Sequence, residues 1–363
     1  MKLFFFILVA FSFNCISSCN CTISHIMSIQ IRDTFILPGI PYSKTVHFNG
    51  KNVYYQSMDE PDKETFKSFS LEHNKLVWSK DINQIGINEG AITITGEYVV
   101  PTLSDTVYLI DAEGKARILK LEYRSKTNPL VYKNMFILQD RGIGLKCFDA
   151  VTLKLIWLIK QKSNFTMSQP LLLDSSIVYV LDDNSIQSSN ARSGNLNWSI
   201  SLQDTFAIYD LYGVYQDLIF ILSTNLKKEK KITAINHKNG TQIWKVMVDN
   251  SINEFEKDMV VANDIIFCRG DSSVFTFSVK EGKPLRIYNY NSRITTNLVV
   301  DKNGNVLFGL ADNTLMKIDK NRNELSITTF KSKLDRLYRF KDYIFLYSYP
   351  NLYSMDSKLS VKL

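Results

Sequence analysis

The sequence predicts an all-β chain built by repeating one four-stranded unit, and three observations predict it. The first is a shared frame. Residues 145–157 (LKCFDAVTLKLIW), 186–198 (IQSSNARSGNLNW) and 232–244 (ITAINHKNGTQIW) each carry a polar residue, Asp149, Asn190 or Asn236, eight positions before a tryptophan, with a turn between them. The second is the period. Aligning on that polar residue puts strand ends at Ser70, Asp111, Asp149, Asn190, Asn236, Ser278, Asp319 and Asp356, in steps of 41, 38, 41, 46, 42, 41 and 37. Self-similarity at about forty residues marks an array of small units, each needing its neighbours to bury its faces. The third is strand grammar. From Thr45 onward the apolar runs are five to eight residues long, rich in β-branched and aromatic side chains, and closed by Asp, Asn, Gly or Lys. No run keeps a helical period for even three turns.

In chain order, residues 1–18 read as an export signal: Lys2 is their one charge, Leu3 to Phe13 is an apolar run of eleven, and small residues follow. Such a run is too short to remain as a membrane-spanning helix. Ile16-Ser17-Ser18-Cys19 fits a bacterial lipobox, so Cys19 is the expected lipidation site and the new N-terminus. Plain cleavage nearby, with Cys15, Cys19 and Cys21 as ordinary thiols, is the alternative. An anchor of more than one acyl chain holds stably, each buried methylene being worth about 0.8 kcal/mol. Residues 19–44 are then a lipid-anchored tether followed by a ring-closing strand. Within residues 28–37, Ile29, Ile31, Phe35 and Leu37 give an alternating apolar pattern before Pro38 and Pro41 break it.

Residues 45–363 hold the eight units. In the fourth, strands are expected at 169–173, 176–181, 185–190 and 196–202, with short polar turns between them. Four antiparallel strands per period of about forty residues make the blade of a β-propeller, so the expectation is an eight-bladed ring. The second and third strands, such as Ile177 and Tyr179 or Ile219 and Ile221, then pack between successive blades. Closure follows from edge chemistry, because an open ring leaves bare faces and unpaired strand edges at both ends. The eighth unit has room for a short fourth strand at 358–363, and residues 28–37 are placed to join or replace it.

Charge and side-chain inventory exclude several functions. The chain carries +7, and losing Lys2 with the signal leaves +6, spread without a basic block longer than Lys227-Lys228-Glu229-Lys230-Lys231. No nucleic-acid partner is expected from that distribution. Cys147 and Cys268 fall in the third and sixth units and are expected to be unpaired, being too far apart around a ring for a disulfide. The histidines His25, His47, His73 and His237 stand singly, without the spacing of a metal site or a catalytic triad. Acidic pairs such as Asp182-Asp183 fall in turns, where Asp is favoured for its bonds to backbone. Neither catalytic, cofactor-binding nor metal-binding residues are therefore expected.

The tryptophan column reads Trp78, Ile118, Trp157, Trp198, Trp244, Arg286 and Ile327. A strand ending in Asp-Ala (Asp111-Ala112, Asp149-Ala150), then a turn such as Glu113-Gly114-Lys115 or Asn239-Gly240-Thr241, then a strand with Trp, resembles the quinoprotein-type (PQQ-like) repeat. There is no Trp-Asp, Gly-His or Gly-Gly dipeptide to point to the WD40 or kelch repeats. The resemblance covers residue 45 to the C-terminus and implies that Trp78, Trp157, Trp198 and Trp244 dock blade to blade. It also implies two functional classes. One is a non-enzymatic lipoprotein similar to the scaffold of the outer-membrane β-barrel assembly machinery, bound to protein partners, attached to the envelope by its lipid, and needing no cofactor. A secreted or surface recognition or immunity propeller is the alternative within that class. The other is a dehydrogenase holding pyrroloquinoline quinone, which is the weaker reading because this chain lacks the vicinal cysteine pair and the inserted loops of those enzymes. The step of 46 places a longer hairpin in the fifth unit, and its Lys227, Lys228, Lys230 and Lys231 are candidate partner-binding residues, with solvated lysines that keep a strand edge from aggregating as the alternative.

Overall fold

The computed structural model describes residues 31–41, 46–60, 63–82, 90–125, 127–141, 143–160, 168–181, 185–202, 207–252 and 259–356. Every regular element among them is a β-strand, and the strands form eight antiparallel sheets arranged as a propeller. Blades 1 to 7 occupy residues 40–81, 91–120, 130–160, 171–201, 207–248, 259–289 and 299–329. In each the strands pair in chain order. The first strands of neighbouring blades approach one another and so line the axis, which puts the fourth strands at the rim. Blade 1 builds its inner strand from two pieces, Ile40–Pro41 and His47–Asn49, both paired with Asn52–Glu60.

The fourth blade consists of Leu171–Leu173, Ser176–Val180, Ser185–Asn190 and Leu196–Ser201. Each agrees with the sequence expectation to within two residues at either end. Blade 8 differs. Its Arg336–Phe340, Tyr343–Ser348 and Asn351–Asp356 supply three strands, and the outermost is Ile31–Ile36 from the other end of the chain, antiparallel with Ile36 opposite Asn351 and Ile31 opposite Met355. The fourth strand expected at 358–363 lies outside the described residues.

Burial explains why the strands carry the sequences they do. A blade is covered on both faces by its neighbours, so middle strands are buried throughout: all six residues of Met135–Asp140 are inaccessible, although the last two are Gln139 and Asp140. Rim strands alternate instead, as in Lys75–Asp81 and Gln242–Val248, where one face packs and the other meets solvent. The core divides into eight clusters, one for each junction between adjacent blades. The junction between blades 8 and 1 is among them: Phe35 and Leu37 pack with Tyr55, Phe69, Phe345, Tyr347 and Leu352, and Phe48 stacks on Phe345 at 4.3 Å. Each such side chain, fully buried, contributes about 1.5–3 kcal/mol. The ring is closed by packing as well as by strand pairing.

Candidate functional site

Antiparallel hairpins alternate ends, so a blade presents its turns between strands 1 and 2 and between strands 3 and 4 on one face of the ring. We call this face the lower one. The hairpins between strands 2 and 3 and the connections to the next blade form the upper face. On the lower face the four tryptophans make one repeated joint. Each indole Nε1 donates to a carbonyl in the strand 3–4 turn of the following blade: Trp78 to Ala112 at 2.9 Å, Trp157 to Ala191 at 3.1 Å, Trp198 to His237 at 2.9 Å and Trp244 to Val279 at 2.8 Å. The same turn brings a glycine against the ring. A Cβ at Gly114, Gly194, Gly240 or Gly282 would sit 2.6–3.0 Å from the indole of Trp78, Trp157, Trp198 or Trp244, and all four have φ between +70° and +83°.

At two of the three column positions without tryptophan, arginines make the joint. Beside Ile118, Arg117 donates to Ala150 O at 2.5 Å and Val151 O at 2.6 Å, and its guanidinium is held bidentate by Glu97 at 2.7 and 2.8 Å. Arg286 takes the tryptophan position in blade 6 and donates to Arg322 O at 3.4 Å, while its guanidinium lies 4.5 Å from the Tyr288 ring. Sequence reasoning missed Arg117 and Glu97. The signal was present only as a cation one place before an empty tryptophan column.

The upper face is tied together by buried and half-buried cations. Lys146 lies 2.6 Å from Asp140, whose other oxygen accepts Tyr123 N–H, so one ion pair fixes the connection from blade 2 to blade 3. Arg269 donates to Ile294 O and Thr296 O at 3.2 Å each, fixing the connection from blade 6 to blade 7. Lys67 donates to Pro38 O at 3.2 Å and to Asp59, and Tyr55 OH donates to the same carbonyl at 3.1 Å, fixing the connection from blade 8 to blade 1.

Lys230 belongs to this group, which corrects the expectation for the fifth-blade hairpin. Its ammonium donates to Asn250 O at 2.8 Å and to Ile252 O, and it is buried. Lys231 is buried too. Both lie in the strand Lys230–Asn236, and only Lys227 and Lys228 stand exposed at the tip. The surplus residues of this blade are spent largely in its strands: Leu218–Thr224 and Lys230–Asn236 have seven residues each, and the turn is 225–229. Adjacent strand residues point to opposite faces of the sheet, and here both faces are covered by neighbouring blades.

A cavity of about 530 Å³ opens along the axis between the inner strands of blades 1, 5, 6, 7 and 8, lined by Phe48, Tyr212, Met259, Val299, Tyr338 and Asn297 among others. Its Asn297 braces the ring by exchanging two hydrogen bonds with the Leu337 backbone at 3.0 and 3.1 Å. Away from the cavity, Gln169 does the same with Asn128 at 2.8 and 3.0 Å. The histidines stand apart: His47 lies edge-on to Tyr98, His73 is in an exposed turn beside Glu72, and His237 is in a turn of blade 5 near Asp217. Among the described residues no three His, Cys, Asp or Glu side chains are placed to hold a metal ion. Cys147 and Cys268 are buried in different interblade clusters. Burial, with a lesser contribution from Asp149, pushes the Cys147 thiol up to about 12. Cys19, with the rest of residues 1–30, lies outside the described residues.

Two stretches, 62–207 and 182–321, match the family described as outer membrane protein assembly factor BamB. No curated protein sequence matches the chain significantly. Among solved structures, BamB from Moraxella catarrhalis is similar with a TM-score of 0.71 at 14% identity, over 90% of this chain and 99% of that one. The computationally designed Ika8 protein has a TM-score of 0.65 at 16% identity, over 92% and 99% of the two chains. Sqt1 from Saccharomyces cerevisiae has 0.66 at 10% identity, over 91% and 99%. At such identities, likenesses to a bacterial protein, a design and a yeast protein show a shared fold and carry no activity across.

Proposed function

Because the chain belongs to the family of the outer membrane protein assembly factor BamB, we propose that it is a non-catalytic scaffold lipoprotein of the cell envelope that binds proteins engaged in outer-membrane protein assembly. The observation that carries the reading is the family match, which runs across blades 2 to 6 and into the blades on either side. The architecture supports binding over catalysis. Its buried Asp140, Lys146 and Lys230 and its half-buried Arg269 and Asn297 are engaged in holding blades and connections together. Acid-base or nucleophilic work needs a base oriented by a third group, and His47, His73 and His237 belong to separate surroundings. A stiff closed ring presenting loops on two faces is a frame on which binding residues gather.

In this reading residues 1–18 direct export, Cys19 carries the lipid that fixes the protein to the outer membrane, residues 19–44 tether the ring and close it, and residues 45–363 form the propeller. No cofactor takes part. Cys19→Ser is expected to release the protein into the soluble envelope fraction and to abolish labelling by a palmitate analogue. Deleting the protein is expected to lower the amount of β-barrel protein in the outer membrane. A wild-type protein that is soluble and unlabelled contradicts the anchor, and unchanged barrel levels contradict the assembly role.

A further inference from the structure

The tip of the fifth-blade hairpin carries a leucine with no cover at all: Leu226 is 103% exposed, more than any other large apolar side chain among the described residues. Single exposed leucines are ordinary on protein surfaces, but this one is held rigidly. Asn225 accepts the N–H groups of Lys227 at 3.0 Å and Glu229 at 2.9 Å through its side-chain oxygen, and its amide donates to the Glu229 carboxylate at 2.6 Å. Backbone bonds from Asn225 N to Glu229 O and from Lys228 N to Asn225 O close the turn. Lys228 sits at φ +63°. A turn braced in this way cannot fold its leucine back onto the ring. It holds Leu226 outward, followed in the chain by the exposed Lys227, Lys228 and Glu229.

The hairpin is also long: its strands run to seven residues where the matching strands of blades 4 and 6 have five or six. The strand Ile31–Ile36 leads through Pro38 into the upper-face connection to blade 1, so Ile31 lies at the lower face, opposite Leu226.

We propose that Leu226 is a docking anchor: it inserts into an apolar pocket on a protein partner, with Lys227 and Lys228 meeting carboxylates at the pocket rim. This rests on the scaffold reading and names the contact that reading leaves open. Because the turn's backbone is already fixed, docking orders little further main chain, and the neighbouring charges set orientation.

The test places a benzophenone amino acid at position 226 of the full-length protein in intact cells, with position 151 on the lower face as control. The expected result is a protein adduct from 226 and not from 151, mapped by mass spectrometry to an apolar pocket bordered by Asp or Glu. Leu226→Asp, and separately Lys227→Glu with Lys228→Glu, are expected to reduce recovery of that partner at least tenfold while leaving the unfolding midpoint unchanged. Adducts to lipid alone, no adduct at 226, or undiminished recovery with Leu226→Asp overturn the anchor. In those cases partners still recovered by the tagged wild type leave the scaffold reading standing, whereas a wild type that recovers none overturns both.

Discussion

The indole of Trp244 and the backbone of Gly282 form one joint between blades 5 and 6: a Cβ on Gly282 would lie 2.6 Å from the ring, and the indole N–H ends 2.8 Å from Val279 O in the same turn. The pairing recurs around the ring. Glycine fills the left-handed turn position in front of Trp78, Trp157, Trp198 and Trp244, whereas Leu153 at φ +59° and Arg322 at φ +67° fill it in front of Ile118 and Arg286. Glycine is present where an indole has to fit, and the turn alone accepts other residues.

Gly282→Ala is expected to lower stability by about 2–4 kcal/mol, combining left-handed strain with displacement of a packed ring. Trp244→Ala removes the ring, so the double variant should be less destabilised than the sum of the two single changes. Urea denaturation of the four proteins measures the coupling. Strict additivity would mean that ring and glycine do not act as one joint.

Arg322→Gly is expected to behave in the opposite way. Arg322 is exposed and faces no indole, so relief of a left-handed conformation, worth about 1–2 kcal/mol, opposes a backbone entropy cost of about 0.5–1 kcal/mol. The outcome expected is between neutral and about 1 kcal/mol more stable, read from the same urea curves.

Arg117→Met should cost about 1–3 kcal/mol, because Glu97 is largely buried and loses its bidentate partner while two carbonyls of blade 3 lose their donor. Adding Glu97→Gln should recover part of that loss. Arg117→Lys is expected to rescue poorly, since an ammonium cannot serve the carboxylate and both carbonyls in this planar arrangement.

The ring closure has an acid sensitivity. Burial alone would raise the Asp59 carboxyl, but hydrogen bonds from Lys67, Ser57 and Thr65 outweigh it and hold the group below its ordinary value of 3.8. A depressed folded-state value stabilises above the unfolded value, and that stability is lost as pH falls through the folded value. Wild type should therefore lose thermal stability more steeply than Asp59→Asn as pH is lowered from 5 toward 2. At neutral pH the variant should be about 1–2 kcal/mol less stable, since Lys67 stays buried without its counter-charge. Parallel melting curves across that range would remove Asp59 from the closure.

Much of the fold was legible because a blade writes its period into the sequence: the polar turn residue and the following tryptophan located the strands of blade 4 to within two residues. The joint at blade 2 was not. Arg117 stands one place off the tryptophan column and its partner Glu97 is twenty residues earlier in the inner hairpin, a pairing that only the folded sheet brings together. The lysine run misled for a related reason. Lys227, Lys228, Lys230 and Lys231 look alike in sequence, yet the strand starts at Lys230, and a strand covered on both faces buries consecutive residues whatever their charge. Leu226, the most exposed large apolar side chain among the described residues, carries no mark of that exposure in the sequence.

The central claim, that this ring is a protein-binding scaffold of outer-membrane assembly, is tested most directly by affinity purification after crosslinking in intact cells. Tagged wild-type protein is expected to recover components of the outer-membrane protein assembly machinery, and Leu226→Asp to recover them at no more than a tenth of that level. A folded, correctly located wild-type protein that recovers none of those components would contradict it.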